Sequence, residues 1–347
     1  MVRRAVALAL AGTMAAGITV AIRIARIDAH APITGRPYVS DLPDPSSRLG
    51  RFLSSGDGQF YEALALDPTL SRPASFSSRR EAAYRAQRPL LSFLAWASSL
   101  GRRGATGWAL VVASVLSAGF AAGACASLSL RRSGSAITGG IVLLMPGSLA
   151  VLGGLGSELL ALGLVALALQ AWTDERFWRA SVLFVLAAFA RETTLVVPGT
   201  LALIELVRSR RVGCMSAVAV PFVAWGAWLA WIRWRIGVFP GAQGRIAAPF
   251  AGFVRAVPHW QNTVPNLVAI ALGAAVVVGL AIKRRDDLLG VVALAHLSLA
   301  VVAGPDVWHA WENFTRPLLP LYALGLVALA SQHDSLAPTD RPAVAVA

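Results

Sequence analysis

Long apolar stretches alternate with short polar and basic ones along most of this chain. A helix that crosses a bilayer needs about 20 mostly apolar residues, and shorter segments are tolerated inside a bundle. The pattern therefore predicts an all-α polytopic integral membrane protein in which residues 1–331 form a single transmembrane domain. We place its ten spans near residues 5–22, 108–130, 136–153, 157–173, 178–190, 194–207, 214–235, 264–282, 288–303 and 317–331.

Two segments of this pattern allow a second interpretation. Residues 89–100, PLLSFLAWASSL, would span only about 18 Å as a helix. We interpret them as an interfacial helix, since Pro89 suits a first helical turn and Trp96 suits the headgroup zone. If they crossed the membrane instead, every later loop would change sides. Residues 178–207 could form one long helix, but basic residues at both ends favour a hairpin broken at Arg191.

The two ends of the chain are also predicted from the pattern. The apolar run at residues 5–22 exceeds the usual core of a signal peptide, although Ala-His-Ala follows it, so we expect a retained first helix. Residues 332–347, which end in APTDRPAVAVA, are predicted to form a disordered cytoplasmic tail.

Basic residues in the short connections predict the orientation. The connections that share a side with the basic N-terminus are 131–135, 173–179, 208–211 and 283–287. The positive-inside rule makes that side cytoplasmic, so both termini are cytoplasmic. The segments expected on the outer side are 23–107, 191–193, 236–263 and 305–316. Residues 23–107 form a long first extracytoplasmic loop, and its arginines are tolerated because the rule relaxes in segments longer than roughly 60 residues.

Composition excludes two classes of protein. A chain with 56% hydrophobic and 14% charged residues is not a soluble globular domain. Its formal net charge is +13, and every basic residue except Lys283 is an arginine, which suits phosphate because guanidinium binds it bidentately. Much of this charge lies beside apolar segments, where topology explains it, so we exclude nucleic-acid binding. Cys125 and Cys214 lack CxxC spacing and are interpreted as packing residues.

Charged groups near membrane depth are costly, which makes them candidates for function. They concentrate on the predicted outer side: Asp57, Glu62, Asp67, Arg85, Arg88, Glu158, Arg191, Glu192, Asp306, His309, Glu312 and Arg316. Glu205 lies near a cytoplasmic helix end beside basic residues and is interpreted as part of an ordinary ion pair.

Each candidate has a structural alternative. The Gly-Asp-Gly sequence around Asp57 is also a good turn, because glycine and aspartate tolerate left-handed backbone conformations. Arg85 and Arg88 would by default extend to the lipid headgroups, and Glu158 would pair with Arg191 inside the bundle. An aromatic belt is the interpretation for the tryptophans that recur every three residues: Trp225, Trp228, Trp231 and Trp234.

Two motifs of the first loop and three later blocks resemble those of a known family. The loop carries DGQFYEALALDP at 57–68 and YRAQRPLLSFLAW at 84–96. The later blocks are GSELL, ARETTLVVP and ENFTRPLLPLY. They resemble polytopic GT-C glycosyltransferases, particularly bacterial membrane proteins of cell-surface glycopolymer formation. Glu62 and Ser92 depart from the family pattern, whereas the aspartate is kept.

The resemblance implies a GT-C-like helical bundle with interfacial helices in the first loop and a polyprenyl-phosphate sugar as donor. Transfer needs a base for the acceptor hydroxyl, and Asp57 is the residue expected to supply it. Binding of the donor phosphate or sugar is expected at Arg85, Arg88, Glu158, Arg191, Glu192, Glu312 and Arg316. Supporting positions are Gly56, Gly58, Gln59, Tyr61, Asp67, Tyr84, Gln87 and His309. No metal ligand is predicted; no cofactor is assigned, and a divalent cation is left open.

The expected function is sugar transfer to a cell-envelope glycan or glycolipid on the outer face of the bacterial cytoplasmic membrane. A nucleotide-sugar donor is cytosolic, so a lipid carrier fits an outer-face site. A transporter or flippase for a lipid-linked glycan is one alternative, but it needs polar residues at mid-membrane depth and usually internal repeats, and neither is evident. A non-catalytic subunit of the assembly machinery is the other, because fold does not fix function.

Overall fold

The computed structural model describes residues 1–28, 46–208, 212–241, 245–261, 263–284 and 286–332. Within these ranges the chain is helical apart from turns and one isolated antiparallel β-bridge between Ile246 and Ala303. The predicted tail 332–347 therefore lies outside the described residues except for Gln332.

The helices of the first half are α1 (Val2–Arg26), α2 (Arg48–Ser54), α3 (Gly58–Leu66), α4 (Arg79–Arg85), α5 (Leu90–Ser99), α6 (Arg103–Arg131), α7 (Ile137–Val142), α8 (Pro146–Gly154) and α9 (Glu158–Thr173). Those of the second half are α10 (Phe177–Ala190), α11 (Val196–Arg208), α12 (Val212–Ile236), α13 (Ala251–Ala256), α14 (Thr263–Lys283), α15 (Leu288–Ala295), α16 (Leu297–Val302), α17 (Pro305–Trp308), α18 (Trp311–Phe314) and α19 (Leu319–Ala330).

Four helices of the described residues are long and apolar enough to cross a membrane, namely α1, α6, α12 and α14. The chain is thus an all-helical membrane protein, as the sequence predicts, but ten spans are not confirmed. Shorter apolar helices, including α9 and α10, make up the rest of the bundle. With its 16 residues, α9 is only about 24 Å long, and it is buried on almost every side.

Two predicted spans are each split into two helices. Residues 136–153 form α7 and α8, because Pro146 restricts Met145 to an extended conformation and Met145 interrupts the helix at φ −64°, ψ 144°. Residues 288–303 form α15 and α16, which meet at His296. The break expected at Arg191 is present: its backbone is extended at φ −153°, and a 3-10 turn separates α10 from α11.

The outer helices turn apolar faces away from the protein. On α1, exposed apolar side chains recur every four residues, and α14 carries a second exposed apolar set that includes Leu267 and Val278. Such continuous apolar faces are stable in lipid rather than in water. Between these helices, α9 and α19 are apolar on all sides and form the centre of the core.

The first loop packs on the end of α12. Phe60, Ala82 and Ala83 share a buried cluster with Leu229 and Ile232 of α12. Three of the four tryptophans expected in an aromatic belt, Trp225, Trp228 and Trp231, pack against this cluster instead. The indole of Trp228 also donates a hydrogen bond of 2.8 Å to the carbonyl of Ala86, whereas Trp234 is exposed. Tryptophan here anchors the loop to the bundle.

Polar contacts mark the end of the bundle opposite the first loop. Arg131 at the end of α6 pairs with Asp174 at 2.7 Å. The next residue, Arg132, forms a buried ion pair of 2.6 Å with Asp287 and a hydrogen bond to Ser331. The connections that follow α6, α9 and α14 therefore meet at one end, as their predicted common side requires.

Candidate functional site

The Gly-Asp-Gly sequence brings Asp57 to the start of α3. Asp57 has a right-handed backbone, φ −73°, ψ −10°, and its side chain makes no capping hydrogen bond. Asp57 does lie in a turn, but neither Asp57 nor the glycines beside it adopt the left-handed conformation that these residue types tolerate. The glycines serve close packing instead: a Cβ on Gly56 would lie 2.7 Å from the Cα of Gly154 in α8, and one on Gly58 would crowd Leu53.

The carboxylate of Asp57 lies between two arginines from distant parts of the chain. Arg85 Nη1 donates to its Oδ1 at 2.8 Å, and Arg316 Nη2 donates to its Oδ2 at 2.6 Å. Burial favours the neutral acid, but the charges of Arg316 and then Arg85 outweigh it and hold the pKa of Asp57 well below its usual range. Asp57 is therefore a carboxylate at any physiological pH.

Glu158 extends this network behind Asp57. Its Oε1 accepts a 2.8 Å hydrogen bond from Arg316 Nε. Arg191 Nη1 lies 3.1 Å from the same oxygen, a distance typical of an ion pair, but without hydrogen-bond geometry. The expected pairing of Glu158 with Arg191 thus exists, and Arg316 joins it to Asp57.

A second pair flanks the first. Arg88 donates from Nε and Nη2 to both carboxylate oxygens of Glu192 at 2.6 Å, and its Nη2 also donates to the hydroxyl of Tyr84. Burial acts to raise the pKa of Glu192. The positive charges of Arg88 and then Arg191 outweigh this effect and lower the pKa to about 2. Arg88 is only 3% exposed, so it does not extend to lipid headgroups.

Except for Glu158, which is buried, these ion-paired residues line one cavity of about 690 Å³. Candidates predicted from the sequence that line it are Asp57, Tyr84, Arg85, Gln87, Arg88, Arg191, Glu192, Asp306 and Arg316. They come from all the segments that the topology assigns to the outer side except 236–263, and that segment contributes Pro240, Gly241, Arg245 and Ile246. Apolar residues form much of the remaining wall, among them Leu195, Val196, Leu299 and Leu318.

Other predicted residues support the site from behind. The hydroxyl of Tyr61 lies 2.9 Å from Ser157 Oγ, which donates to the carbonyl of Ala190 just before Arg191. Gln59 donates its amide to the carbonyl of Ser54 at 3.1 Å. The bonds through Tyr61 and Ser157 connect α3 to the ends of α9 and α10, and the bond of Gln59 connects it to the end of α2.

Asp67, Glu312 and His309 neither line the cavity nor support it from behind. Asp67 accepts hydrogen bonds from Thr69, Ser71 and the backbone of Arg72, so it stabilises the turn after α3. Glu312 lies in α18 and His309 is exposed, and neither is among the described residues that line the cavity.

Sequence reasoning missed two members of the site. Arg245 lies with its guanidinium carbon 4.4 Å from the centre of the Tyr84 ring. Glu81 pairs with Arg85 at 2.7 Å across one helical turn. No motif marks Arg245, and its only sequence signal is a place in a segment predicted to be outside. Glu81 was visible as an (i, i+4) partner of Arg85.

The described residues contain no group of three or more His, Cys, Asp or Glu that could hold a metal ion. Comparisons with protein-family models, curated proteins and solved structures return no match. Fold and site together define the class of the chain as a helical membrane protein with an ion-paired, arginine-rich cavity at one end of its bundle. Any finer assignment rests on the chemistry of that cavity.

Proposed function

We propose that this chain is a membrane glycosyltransferase that moves a sugar from a polyprenyl-phosphate donor to a cell-envelope glycan or glycolipid on the outer face of the membrane. The observation that carries the proposal is the cavity, in which a carboxylate, Asp57, lies among arginines beside an apolar wall. A lipid-linked sugar has a part for each of these features. Its anomeric carbon is where the acceptor activated by Asp57 would attack, its phosphate suits the arginines, and its apolar chain suits the apolar wall.

The chemistry assigns one step to Asp57. Its carboxylate takes the proton of the acceptor hydroxyl while the acceptor oxygen bonds to the anomeric carbon. The bond from that carbon to the phosphate oxygen breaks, and its electron pair leaves with the polyprenyl phosphate. Arginines beside the leaving oxygen stabilise the charge that develops there.

The ion pairs of Asp57 add a condition to this mechanism. A carboxylate held by Arg85 and Arg316 is a weak base, since both charges favour its ionised form. The negative charge of a donor phosphate bound in the same cavity would offset the charges of these guanidinium groups and raise the pKa of Asp57. Under the proposal, the base becomes active when the donor is bound.

A transfer assay tests the assignment. Purified full-length protein is mixed with a panel of radiolabelled polyprenyl-phosphate hexoses and pentoses and with acceptor glycolipids extracted from bacterial envelopes. We expect Asp57→Asn to lower the transfer rate about a hundredfold or more, the scale of general-base catalysis. Because it also removes a charge from two ion pairs, we expect some loss of stability.

Glu81→Gln is the matched control. It removes the other carboxylate that contacts Arg85, but Glu81 does not line the cavity. We expect a similar loss of stability with at least half of the native transfer rate. Native activity in Asp57→Asn would refute the catalytic role of Asp57. Transfer by no donor, with the native protein folded, would favour the non-catalytic subunit.

A further inference from the structure

Arg245 differs from the other arginines of the cavity in its partners. Arg85, Arg88 and Arg316 each donate hydrogen bonds to carboxylates. Arg191 lies within ion-pair distance of one. Arg245 makes no ion pair with a carboxylate of the described residues, and its guanidinium lies over the ring of Tyr84.

The backbone holds Arg245 in place. The amide of Gly304 donates to the carbonyl of Arg245 at 2.7 Å, and the amide of Ala247 donates to Val302 at 2.8 Å. Ile246, between them, forms the β-bridge to Ala303. The backbone of Arg245 is therefore part of a hydrogen-bonded wall of the cavity.

The surroundings of Arg245 disfavour its positive charge. Burial lowers the pKa of Arg245, and the nearby charges of Arg85 and Arg88 lower it too, against the favourable effects of Tyr84 and Asp57. Because arginine stays protonated in proteins, the charge remains and an anion beside it would be stabilised. Arginines outnumber carboxylates by five to three among the described residues that line the cavity.

Arg191 supplies an independent sign of a missing partner. It is 8% exposed, and its Nε and Nη1 make no hydrogen bond. Buried guanidinium donors without acceptors are costly, so an acceptor group is expected when the site is filled. Phosphate presents several acceptor oxygens and matches the guanidinium fork.

We propose that Arg245, with Arg191, binds the phosphate of a lipid-linked substrate, while Arg85, Arg88 and Arg316 hold the carboxylates of the site. The identity of the lipid rests on the proposed function. The phosphate assignment rests on the Arg191 donors that make no hydrogen bond and on Arg245, which has no carboxylate partner among the described residues. Leu195, Val196 and Leu299 line the same cavity and suit an isoprenoid chain.

Binding to the purified full chain in detergent tests this without any transfer reaction. The probes are farnesyl phosphate, farnesol and inorganic phosphate, each titrated calorimetrically. We expect Arg245→Gln to weaken farnesyl phosphate binding at least tenfold and to leave farnesol binding unchanged. The control is Arg255→Gln, an exposed arginine of α13 that does not line the cavity, and we expect native affinity.

Stability separates this role from a structural one. Arg245 has no carboxylate to leave unpaired, so we expect Arg245→Gln to keep the native unfolding temperature. Arg316→Gln removes an arginine partner from both Asp57 and Glu158, so we expect it to lower the unfolding temperature. If Arg245→Gln fails to fold, Arg245→Lys, which keeps the charge but loses the fork, is expected to bind several-fold more weakly.

Four results would overturn the inference. Two concern the variants: native affinity for farnesyl phosphate in the Arg245 variants, or a loss of affinity in Arg255→Gln equal to that in Arg245→Gln. Two concern the native chain: no binding of farnesyl phosphate, or binding of inorganic phosphate as tight as that of farnesyl phosphate. The last result would assign the site to free phosphate rather than to a lipid headgroup. A chain that binds farnesyl phosphate through Arg245 but transfers no sugar would keep this inference and refute the proposed function.

Discussion

At the scale of single residues, Glu62 is a buried carboxylate with no hydrogen bond or ion pair to a described residue. It lies on α3 at 4% exposure, and a Cβ on Gly107 of α6 would be 3.0 Å from its Oε1. Burial alone raises the pKa of Glu62 to about 7. The protonated form is therefore favoured in the folded protein below that pH.

This shift predicts how stability varies with pH. The folded state holds a proton on Glu62 that the unfolded chain releases near pH 4.5, so the stabilisation is complete below that pH and is lost by about pH 7. We expect Glu62→Gln to raise the free energy of unfolding by about 1–3 kcal/mol at pH 8 and by little at pH 4. Thermal unfolding of both proteins at the two pH values measures this. An equal gain at both would mean that ionisation is not the cause.

The sequence could predict which residues form the site more fully than how they pair. The first-loop motifs and the acidic and basic helix ends identified Asp57, Arg88 and Glu192 as candidates. Which carboxylate faces which arginine depends on the helix ends that meet in space, and sequence spacing does not contain that information. Arg245 stayed hidden because its place follows from backbone pairing between residues 245–247 and 302–304.

At the scale of elements, α1 and α6 meet along a seam of small residues. A Cβ on Gly119 would collide with Thr13 and with the carbonyl of Ala9, and one on Gly123 would lie 2.9 Å from the Cβ of Ala9. Without a hydrophobic force between helices in lipid, such close approach supplies the packing energy. The same seam explains why two helices with exposed apolar faces stay together.

We expect Gly119→Ala to destabilise the protein by about 1–3 kcal/mol, because the backbone carbonyl of Ala9 cannot move away without separating the helices. Gly226→Ala in α12 is the control, since nothing lies within 4 Å of its added Cβ. The control should be neutral or stabilising by about 1 kcal/mol, as expected for alanine in a helix. Unfolding temperatures in one detergent compare the two, and equal values would argue against the seam.

The long apolar stretches predicted the positions of most helices but not which of these helices cross a membrane. Eight of the ten predicted spans appear as single helices, and their bounds differ from the prediction by a few residues. A 14-residue helix such as α10 is too short to cross alone, so its depth depends on its neighbours. The break at Pro146 follows from local chemistry that hydropathy averages conceal.

At the scale of the whole molecule, the two ends of the bundle differ in their chemistry. One end gathers the first loop, Arg191, Glu192 and Arg316 around the cavity. The other gathers Arg131 and Arg132 with their acidic partners. The positive-inside rule assigns the second end to the cytoplasm, which would place the cavity outside, where a lipid-linked donor is accessible.

Cysteine labelling in intact cells tests this orientation. Single cysteines replace Ser77 and His309, which are exposed in two predicted outer segments, and Ser135, which is exposed at the opposite end. We expect a membrane-impermeant maleimide to label positions 77 and 309 in intact cells, and position 135 only after permeabilisation. The native cysteines, Cys125 and Cys214, are buried and should contribute little background.

If the labelling differs from this expectation, its pattern identifies which part of the predicted topology is wrong. If position 77 is labelled but 309 is not, the number of crossings between them is odd, and α5 is then the first helix to re-examine, because its 10 residues were interpreted as interfacial. In the structure, α5 starts directly after Arg88 and Pro89 at the cavity, and Ser99 near its end contacts Thr106 of α6 at 3.3 Å. If position 135 alone is labelled in intact cells, the whole bundle is inverted, and a cytosolic nucleotide-sugar donor would replace the lipid carrier.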